Sequence, residues 1–120
     1  MISIVDDDTF AGEGIAQLLQ SLGYRTTLFP SAEQFLESGR VAETTCLITD
    51  LQMPGMSGLD LQSRLRADVY DTPIIFMTAY PEERFRTHAL NGGAVGFLSK
   101  PLKEQSLVEC VNSAVASLHH

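Results

Sequence analysis

The alternation of strand-like and helical segments is the feature that most constrains the fold of this chain. Five short runs rich in apolar and β-branched residues are separated by segments in which apolar residues recur at helical spacing. Because strand–helix–strand connections are right-handed, this order predicts an α/β fold in which helices cover both faces of a doubly wound parallel sheet. The predicted strands cover residues 2–5, 24–29, 45–50, 74–78 and 95–98.

Local signals mark several of the helix ends. Asp8 or Thr9 can accept hydrogen bonds from the first turn of the first helix, and Gly23 is typical of its end. Ser57 can cap the third helix in the same way. The apolar spacing of the last helix predicts a buried, unreactive thiol for Cys110. The apolar face of that helix consists of Leu107, Cys110, Val111, Ala114, Val115 and Leu118.

Composition and charge narrow the class of protein. A chain of 120 residues with 44% hydrophobic and 19% charged residues is expected to form one globular domain with its own core. The net charge of −7 argues against a nucleic-acid surface. The apolar runs are far shorter than the roughly 20 residues that a membrane span needs.

Cysteine usage and the chain ends carry further expectations. Two cysteines without metal-binding spacing, and a first strand that begins at once with no leader before it, predict a reducing, cytoplasmic location. We assign residues 1–118 to the domain and interpret His119 and His120 as a candidate tag remnant.

Asp50 is the candidate centre of the chemistry. The run 45–50 is apolar and β-branched, stops on the Asp50 carboxylate, and is followed by Met53, Pro54 and Gly55. In a parallel α/β sheet, a strand of this kind presents its last side chain to the crevice beyond its carboxyl end. The alternative is that Asp50 only caps a turn.

Asp50 is one of several chemically active side chains at the ends of the predicted strands. The carboxyl ends of parallel strands lie at one edge of the sheet, so side chains at those ends are expected to converge. This convergence favours a functional site over a set of unrelated surface groups. The residues concerned are Asp6, Asp7, Asp50, Thr78 and Lys100.

Converging carboxylates point to a cation and to phosphoryl chemistry. Three neighbouring carboxylates repel one another, and a divalent cation relieves that repulsion. Mg²⁺ prefers oxygen ligands and is commonly bound by one or two carboxylates together with phosphate oxygens. With Mg²⁺ present, Asp50 can act as a nucleophile that forms an aspartyl phosphate, while Lys100 and Thr78 stabilise the transferring group.

Each of these features also has a simpler interpretation. The triplet from Asp6 to Asp8 can be a solvated turn with a helix cap. Thr78 can be a strand-end hydroxyl bonded to backbone, and Lys100 can be an ordinary surface lysine. These interpretations do not predict that the groups meet at one edge of the sheet.

In combination, these motifs resemble the receiver domain of two-component response regulators. The resemblance runs from residue 2 to about residue 118 and rests on the acidic pair Asp6 and Asp7, on Asp50 with Met53-Pro54-Gly55, on Thr78-Ala79, and on Lys100-Pro101. It implies a flavodoxin-like fold with strand order 2-1-3-4-5 and Asp50 as the phosphoacceptor. It also implies Mg²⁺ bound by Asp7, by Asp50 and by the backbone carbonyl of Gln52, with Asp6 acting through a water.

The same resemblance implies roles for residues around the phosphoryl group. Thr78 would be the switch hydroxyl, with Ala79 and Lys100 as further phosphate contacts, Phe97 as the switch aromatic, and a cis peptide bond before Pro101. Two further side chains would sit over the approach of the water that removes the phosphoryl group. These are Gln52, whose amide can hold that water, and Tyr80, whose ring can cover it.

The resemblance also implies partners and a way of working. A histidine kinase would donate the phosphoryl group, and the surface of the fourth helix and fifth strand would then change to control an output, with a phosphorylation-dependent homodimer as one route. The residues from Phe97 to Pro101 resemble regulators with a helix-turn-helix, DNA-binding output domain, which this chain lacks. The domain would be a switch that assists its own phosphorylation and slow dephosphorylation rather than an enzyme.

Three rival functions compete with this one. A degenerate receiver could act only as a protein-interaction module. A phosphatase of the haloacid-dehalogenase type needs a second acid two residues after its nucleophile, where this chain has Gln52. A flavin mononucleotide binder needs a phosphate cradle after the first strand, where three aspartates would repel the phosphate.

Overall fold

Five strands and five helices alternate along residues 1–116, the part of the chain that the computed structural model describes. The strands are β1 (Ile2–Val5), β2 (Thr26–Phe29), β3 (Cys46–Asp50), β4 (Ile74–Thr78) and β5 (Gly96–Ser99). The helices are α1 (Thr9–Ser21), α2 (Ala32–Glu37), α3 (Gly58–Ala67), α4 (Glu83–Asn91) and α5 (Glu104–Ala116). All strands pair in parallel in the order β2-β1-β3-β4-β5. The expected doubly wound fold and its strand order are therefore confirmed, whereas Leu118, His119 and His120 lie outside the described residues.

The second strand begins two residues later than the sequence predicts. Tyr24 lies just beyond α1 and is bonded to its last turn, because its amide donates to the Leu19 carbonyl at 3.1 Å. Gly23 adopts φ 94° in the left-handed region, which lets the chain turn back at this point. The backbone of Tyr24 is thus used to close the helix and is not free to pair with β1.

Side-chain caps start α1 and α3, the helices that follow β1 and β3. The Asp8 carboxylate accepts from the amides of Phe10 and Ala11, so Asp8 and not Thr9 caps α1. Ser57 caps α3 and forms a reciprocal capping box with Asp60. These caps hold the loops at the carboxyl edge of the sheet in short, fixed paths.

The core consists of two apolar layers, one on each face of the sheet. Helices α1 and α5 cover one face, and α2, α3 and α4 cover the other. The largest side chains that are fully buried include Phe35 and Phe76 on the second face and Leu19 on the first. Among residues 1–116, no helix is both long enough and apolar enough to cross a membrane.

Cys110 is less buried than the sequence predicts. Cys110 is half-buried at the margin of the α1–α5 layer, because the apolar face of α5 centres on Leu107, Val111 and Ala114. The fully buried thiol is that of Cys46 on β3, and burial raises its pKa to about 12. Burial also raises the pKa of Cys110, so both sulfurs favour the unreactive thiol form.

Candidate functional site

The carboxyl edge of the sheet collects the side chains that the sequence singled out. Asp50 and Thr78 are the last residues of β3 and β4, Asp6 follows β1, and Lys100 follows β5. The Asp6 amide donates to the Phe29 carbonyl at 3.1 Å, which continues the strand pairing one residue beyond β1. The predicted convergence is therefore present in the structure, because strand register brings these positions to one end of the sheet.

Three carboxylates form a compact cluster at this edge. Oxygen atoms of Asp6, Asp7 and Asp50 all lie within 4.8 Å of one another. Asp6 is fully buried, Asp50 is nearly so, and Asp7 is exposed. Of the three acids, Asp7 is thus the one that is exposed to solvent.

Lys100 ties the two buried carboxylates together. Its Nζ atom donates to Asp50 Oδ2 at 2.9 Å and to Asp6 Oδ2 at 3.3 Å. The Lys100 amide donates to the Thr78 carbonyl at 2.8 Å, and the Lys100–Pro101 peptide bond is cis, as expected. Lys100 is therefore a member of the acidic site and not an ordinary surface lysine.

Burial and charge shift the ionisation of these groups. Burial raises the pKa of Asp6 above its ordinary value of 3.8, against the opposing hydrogen bond from the Asp8 amide and the charge of Lys100. Burial alone would lower the pKa of Lys100, but its hydrogen bond to Asp50 and the charges of both carboxylates outweigh it and raise that pKa overall. The ammonium group is therefore a permanent charge in the site at neutral pH.

A tight turn follows Asp50. The Gln52 amide lies 3.4 Å from Asp50 Oδ1, and the Gly58 amide donates to the Leu51 carbonyl at 2.9 Å. A Cβ atom at Gly58 would clash with the Asp50 carbonyl oxygen and lie 3.1 Å from the Leu51 Cα atom. Gly58 thus lets α3 start directly beneath the Asp50 turn, a role that the sequence reasoning missed. A glycine immediately after a helix cap was the available signal.

The predicted switch and lid residues lie around this cluster in different environments. Thr78 is buried, and its Oγ1 atom accepts from the Tyr80 amide at 3.1 Å, which matches the simpler interpretation of a strand-end hydroxyl bonded to backbone. Ala79, Gln52 and Tyr80 are exposed at the edge. Phe97 on β5 is half-buried and packs against the second apolar layer.

The donor set fits Mg²⁺. The clustered ligand atoms are carboxylate oxygens, the hard ligands that this ion prefers, and the exposed side of Asp7 leaves room for the waters that it retains. The Lys100 ammonium donates to the Oδ2 atom of each buried carboxylate. The Asp6 Oδ1 and Asp50 Oδ1 atoms face backbone amides instead of the ammonium. A divalent cation would relieve the repulsion that remains among the three acids.

Comparison with known proteins identifies relatives of the same architecture. The chain is 37% identical to Nodulation protein W of Bradyrhizobium diazoefficiens over 114 residues, which are 95% of this chain and 50% of that protein. It is 33% identical to the Transcriptional regulatory protein FixJ of the same organism, over 95% of this chain and 56% of that one. The solved structure of the response regulator StyR superposes with a TM-score of 0.88 at 39% identity, covering 96% of this chain and 58% of that one.

The chain spans about half the length of these curated relatives. The family model of the response regulator receiver domain matches residues 2–112. Receiver domains are phosphorylation-based signalling domains of two-component systems that work with histidine kinases and output domains, and the family binds Mg²⁺ at its acidic pocket. On this match, and on relatives more than 30% identical over nearly its whole length, the chain belongs to the response regulator receiver domain family.

Proposed function

We propose that this domain accepts a phosphoryl group from a histidine kinase onto Asp50, in the presence of Mg²⁺, and passes the signal on through its surface. The observation that carries the proposal is the position of the Lys100 ammonium, 2.9 Å from Asp50 Oδ2 inside a cluster of three carboxylates. The fixed cation positions the Asp50 carboxylate for attack on phosphorus. The same cation lies close enough to stabilise the negative charge of the transferring phosphoryl group.

Asp50 is the nucleophile in this proposal. The Lys100 ammonium restrains one Asp50 oxygen and the Gln52 amide approaches the other, so the carboxylate is oriented before the donor arrives. Attack by a carboxylate oxygen on phosphorus forms the aspartyl phosphate and releases the donor group. Lys100 then neutralises part of the charge on the transferred phosphoryl group without any change in its own protonation.

The metal ligands in the proposal are Asp7, Asp50 and the backbone carbonyl of Gln52, with Asp6 acting through a water. When bound, Mg²⁺ supplies positive charge that offsets repulsion between the acidic cluster and an incoming phosphate. The three carboxylate groups lie close enough together for this role, within 4.8 Å. Asp6, fully buried and bonded to Lys100, orients the other groups.

The switch in the proposal begins at Thr78 and Ala79. In the structure Thr78 Oγ1 accepts from the Tyr80 amide, and its own proton is available for donation to a phosphoryl oxygen. Movement of Thr78 toward Asp50 would vacate space for the half-buried ring of Phe97. Better contacts at Thr78 and Lys100 in the phosphorylated state favour that state, and α4 and β5 change shape with it.

Gln52 and Tyr80 set the lifetime of the signal in the proposal. Both side chains are exposed at the site edge, and Gln52 can hold a water while the Tyr80 ring can cover its approach. The proposed cellular setting is cytoplasmic, with a histidine kinase as donor and a DNA-binding output domain outside this chain. Residues 1–118 are proposed as the receiver domain.

Intact mass spectrometry after incubation with acetyl phosphate and Mg²⁺ tests the proposal. We expect one added phosphoryl group, lost in Asp50→Asn and in excess chelator, and retained in Asp71→Asn, which removes an exposed acid outside the cluster. An adduct that persists in Asp50→Asn contradicts the proposal. No adduct on the wild-type chain would favour the rival function, a receiver that acts only as an interaction module.

A further inference from the structure

The loop between Asp50 and α3, residues 51–57, contains the carbonyl that is proposed to bind the metal. Its two ends are held by backbone hydrogen bonds, from the Leu51 amide to the Met77 carbonyl at 2.9 Å and from the Gly58 amide to the Leu51 carbonyl at 2.9 Å. Its middle, around Pro54 and Gly55, is exposed. The conformation of the middle therefore depends on whatever contacts it from outside.

Glu33 supplies such a contact. It lies in the first turn of α2, and its Oε2 atom accepts from the Met56 amide at 3.3 Å. The loop amides of Gln52 and Ser57 donate to Asp50 and Asp60, which flank the loop in sequence, whereas Glu33 contacts the loop from a distant helix. The bond spans 23 positions of sequence, so local chain geometry does not impose it.

Gly55 makes the approach of Glu33 feasible. A Cβ atom at Gly55 would lie 2.5 Å from Glu33 Oε2, closer than a side chain can be accommodated without movement. Gly55 also adopts φ 77°, the left-handed conformation that glycine tolerates best. The carboxylate thus rests against the bare backbone of the loop at the point where the loop reverses direction.

We propose that Glu33 is a positioning residue for the metal site. By fixing the Met56 amide, Glu33 restricts the loop and thereby holds the Gln52 carbonyl near its binding position before the ion arrives. A preorganised ligand loses less conformational entropy on binding, so the ion binds more tightly. This inference rests on the proposed function, because it assigns Glu33 a role toward the same Mg²⁺.

Mg²⁺ titration of the whole chain, followed by the backbone amide NMR signals of Asp7 and Gln52, measures the effect. We expect Glu33→Ala to weaken the Mg²⁺ affinity by about three- to ten-fold. The substitution removes one hydrogen bond to a charged group, and only part of that lost free energy is transmitted from the loop to the metal site. Glu33→Gln keeps an acceptor oxygen while losing the charge, so it should remain within about two-fold of wild type. Glu37→Ala removes an exposed acid from the same helix and is the matched control.

Hydrogen exchange of the Met56 amide supplies a readout that does not depend on the metal. In chelator, exchange should be faster in Glu33→Ala than in wild type, Glu33→Gln or Glu37→Ala. Because coupling between two sites is reciprocal, Mg²⁺ should also slow Met56 exchange in the wild-type chain. Urea unfolding of each variant separates a loss of loop order from a loss of the fold.

The outcomes distinguish this inference from the proposed function. Equal Mg²⁺ affinities for Glu33→Ala and Glu37→Ala, with the wild-type chain binding the ion, overturn the role of Glu33 alone. Unchanged Met56 exchange in Glu33→Ala does the same. A wild-type chain whose Asp7 and Gln52 signals do not respond to Mg²⁺ overturns both.

Discussion

A single lysine decides how the two buried acids of the site behave. Lys100 donates to both Asp6 and Asp50, at 3.3 Å and 2.9 Å, and so offsets part of the cost of placing two carboxylates in a poorly solvated edge. The compensation at Asp6 is incomplete, since burial still raises the pKa of that group. The site is therefore held in an arrangement that favours function at some expense of stability.

We expect Asp6→Asn to stabilise the metal-free protein at pH 7. A carboxyl whose folded-state pKa is raised contributes stability below its ordinary value of 3.8, and that contribution is lost as pH rises through the folded-state pKa. The amide cannot ionise, so the variant should gain about 1 kcal/mol in unfolding free energy at neutral pH, typical of one relieved interaction. The difference should shrink toward pH 4.

Urea unfolding in chelator, at several pH values from 4 to 8, provides the measurement. Asp71→Asn, which removes an exposed acid, should show a smaller effect. A variant that is less stable than wild type at pH 7 as well as at pH 4 would show that the hydrogen bond from Lys100 outweighs the burial of Asp6.

Tyr80 is expected to lengthen the life of the phosphorylated state. Tyr80 is 71% exposed and follows the Thr78 strand end by two residues, so its ring is free to lie over the approach to Asp50. Gln52 offers the attacking water neither a full charge nor a general base. Tyr80→Ala should therefore shorten the phosphoryl half-life several-fold, a barrier change of about 1 kcal/mol.

Decay of the phosphorylated chain after removal of the donor, at constant Mg²⁺, gives the half-life. Tyr80→Phe retains the ring and should decay like wild type. If Tyr80→Ala decays at the wild-type rate or more slowly, the ring is not a lid.

At the scale of elements, α4 is anchored to α3 mainly at its carboxyl end. Ala89 is its one buried residue. Two side chains of α3 reach this end: Gln62 Nε2 donates to the Ala89 carbonyl at 2.9 Å, and Arg66 Nε donates to the Gly92 carbonyl at 3.0 Å. A guanidinium at a helix carboxyl terminus also complements the helix dipole. The amino end of α4 follows Glu82, which makes no side-chain cap. The end of α4 nearer Thr78 is thus the freer one.

Gly92→Ala should weaken this anchoring. A Cβ atom at Gly92 would lie 2.5 to 2.8 Å from the amide atoms of Gln62, so the Gln62–Ala89 bond has to break or the helices have to separate. We expect a loss of about 1–3 kcal/mol in unfolding free energy. Thermal or urea unfolding measures it.

Gly14→Ala is the matched control for that substitution. Gly14 lies inside α1, and a Cβ atom there would have no neighbour within 4 Å. Alanine is the better helix former, so this variant should gain roughly 0.5–1 kcal/mol. Similar stability changes in the two variants would contradict a specific contact between Gly92 and Gln62.

At the scale of the whole molecule, α4 and β5 present exposed apolar side chains where the two elements join, at the end of α4 away from Thr78. Leu90 is 44% exposed and Val95 is 47% exposed, and both lie where α4 leads into β5. We expect phosphorylation, or beryllofluoride in its place, to promote self-association through this surface, because the proposed rearrangement of Thr78 and Phe97 would reshape α4 and β5. Sedimentation at tens to hundreds of micromolar would show the change in mass.

Two substitutions identify the surface. Leu90→Asp should abolish the association, whereas Leu22→Asp, at the end of a helix on the other face of the sheet, should leave it intact. A phosphorylated wild-type chain that stays monomeric, or a dimer that survives Leu90→Asp, argues for a different route of output.

Local sequence patterns were sufficient to predict the strands and helices and to identify which residues meet at the carboxyl edge of the sheet. Apolar periodicity and end caps depend on neighbouring residues, so the alternation of strands and helices was readable along the chain. Right-handed crossovers then bring strand ends to one edge, which is why Asp6, Asp50, Thr78 and Lys100 could be grouped from their positions along the chain. Helix ends that lack a sequence signal could not be predicted. The end of α3 is an example, because Val69 there takes φ 65°, a conformation in which a glycine is usual.

Only the tertiary structure decided how those groups are partnered and how deeply each is buried. The bonds from Lys100 to Asp6 and Asp50 span 94 and 50 positions, and the bond between Glu33 and Met56 spans 23. Contacts at such separations depend on the packing of whole helices against the sheet, and no local spacing encodes them. The half-burial of Cys110 has the same origin, since the rotation of α5 on the sheet decides which of its apolar residues become core.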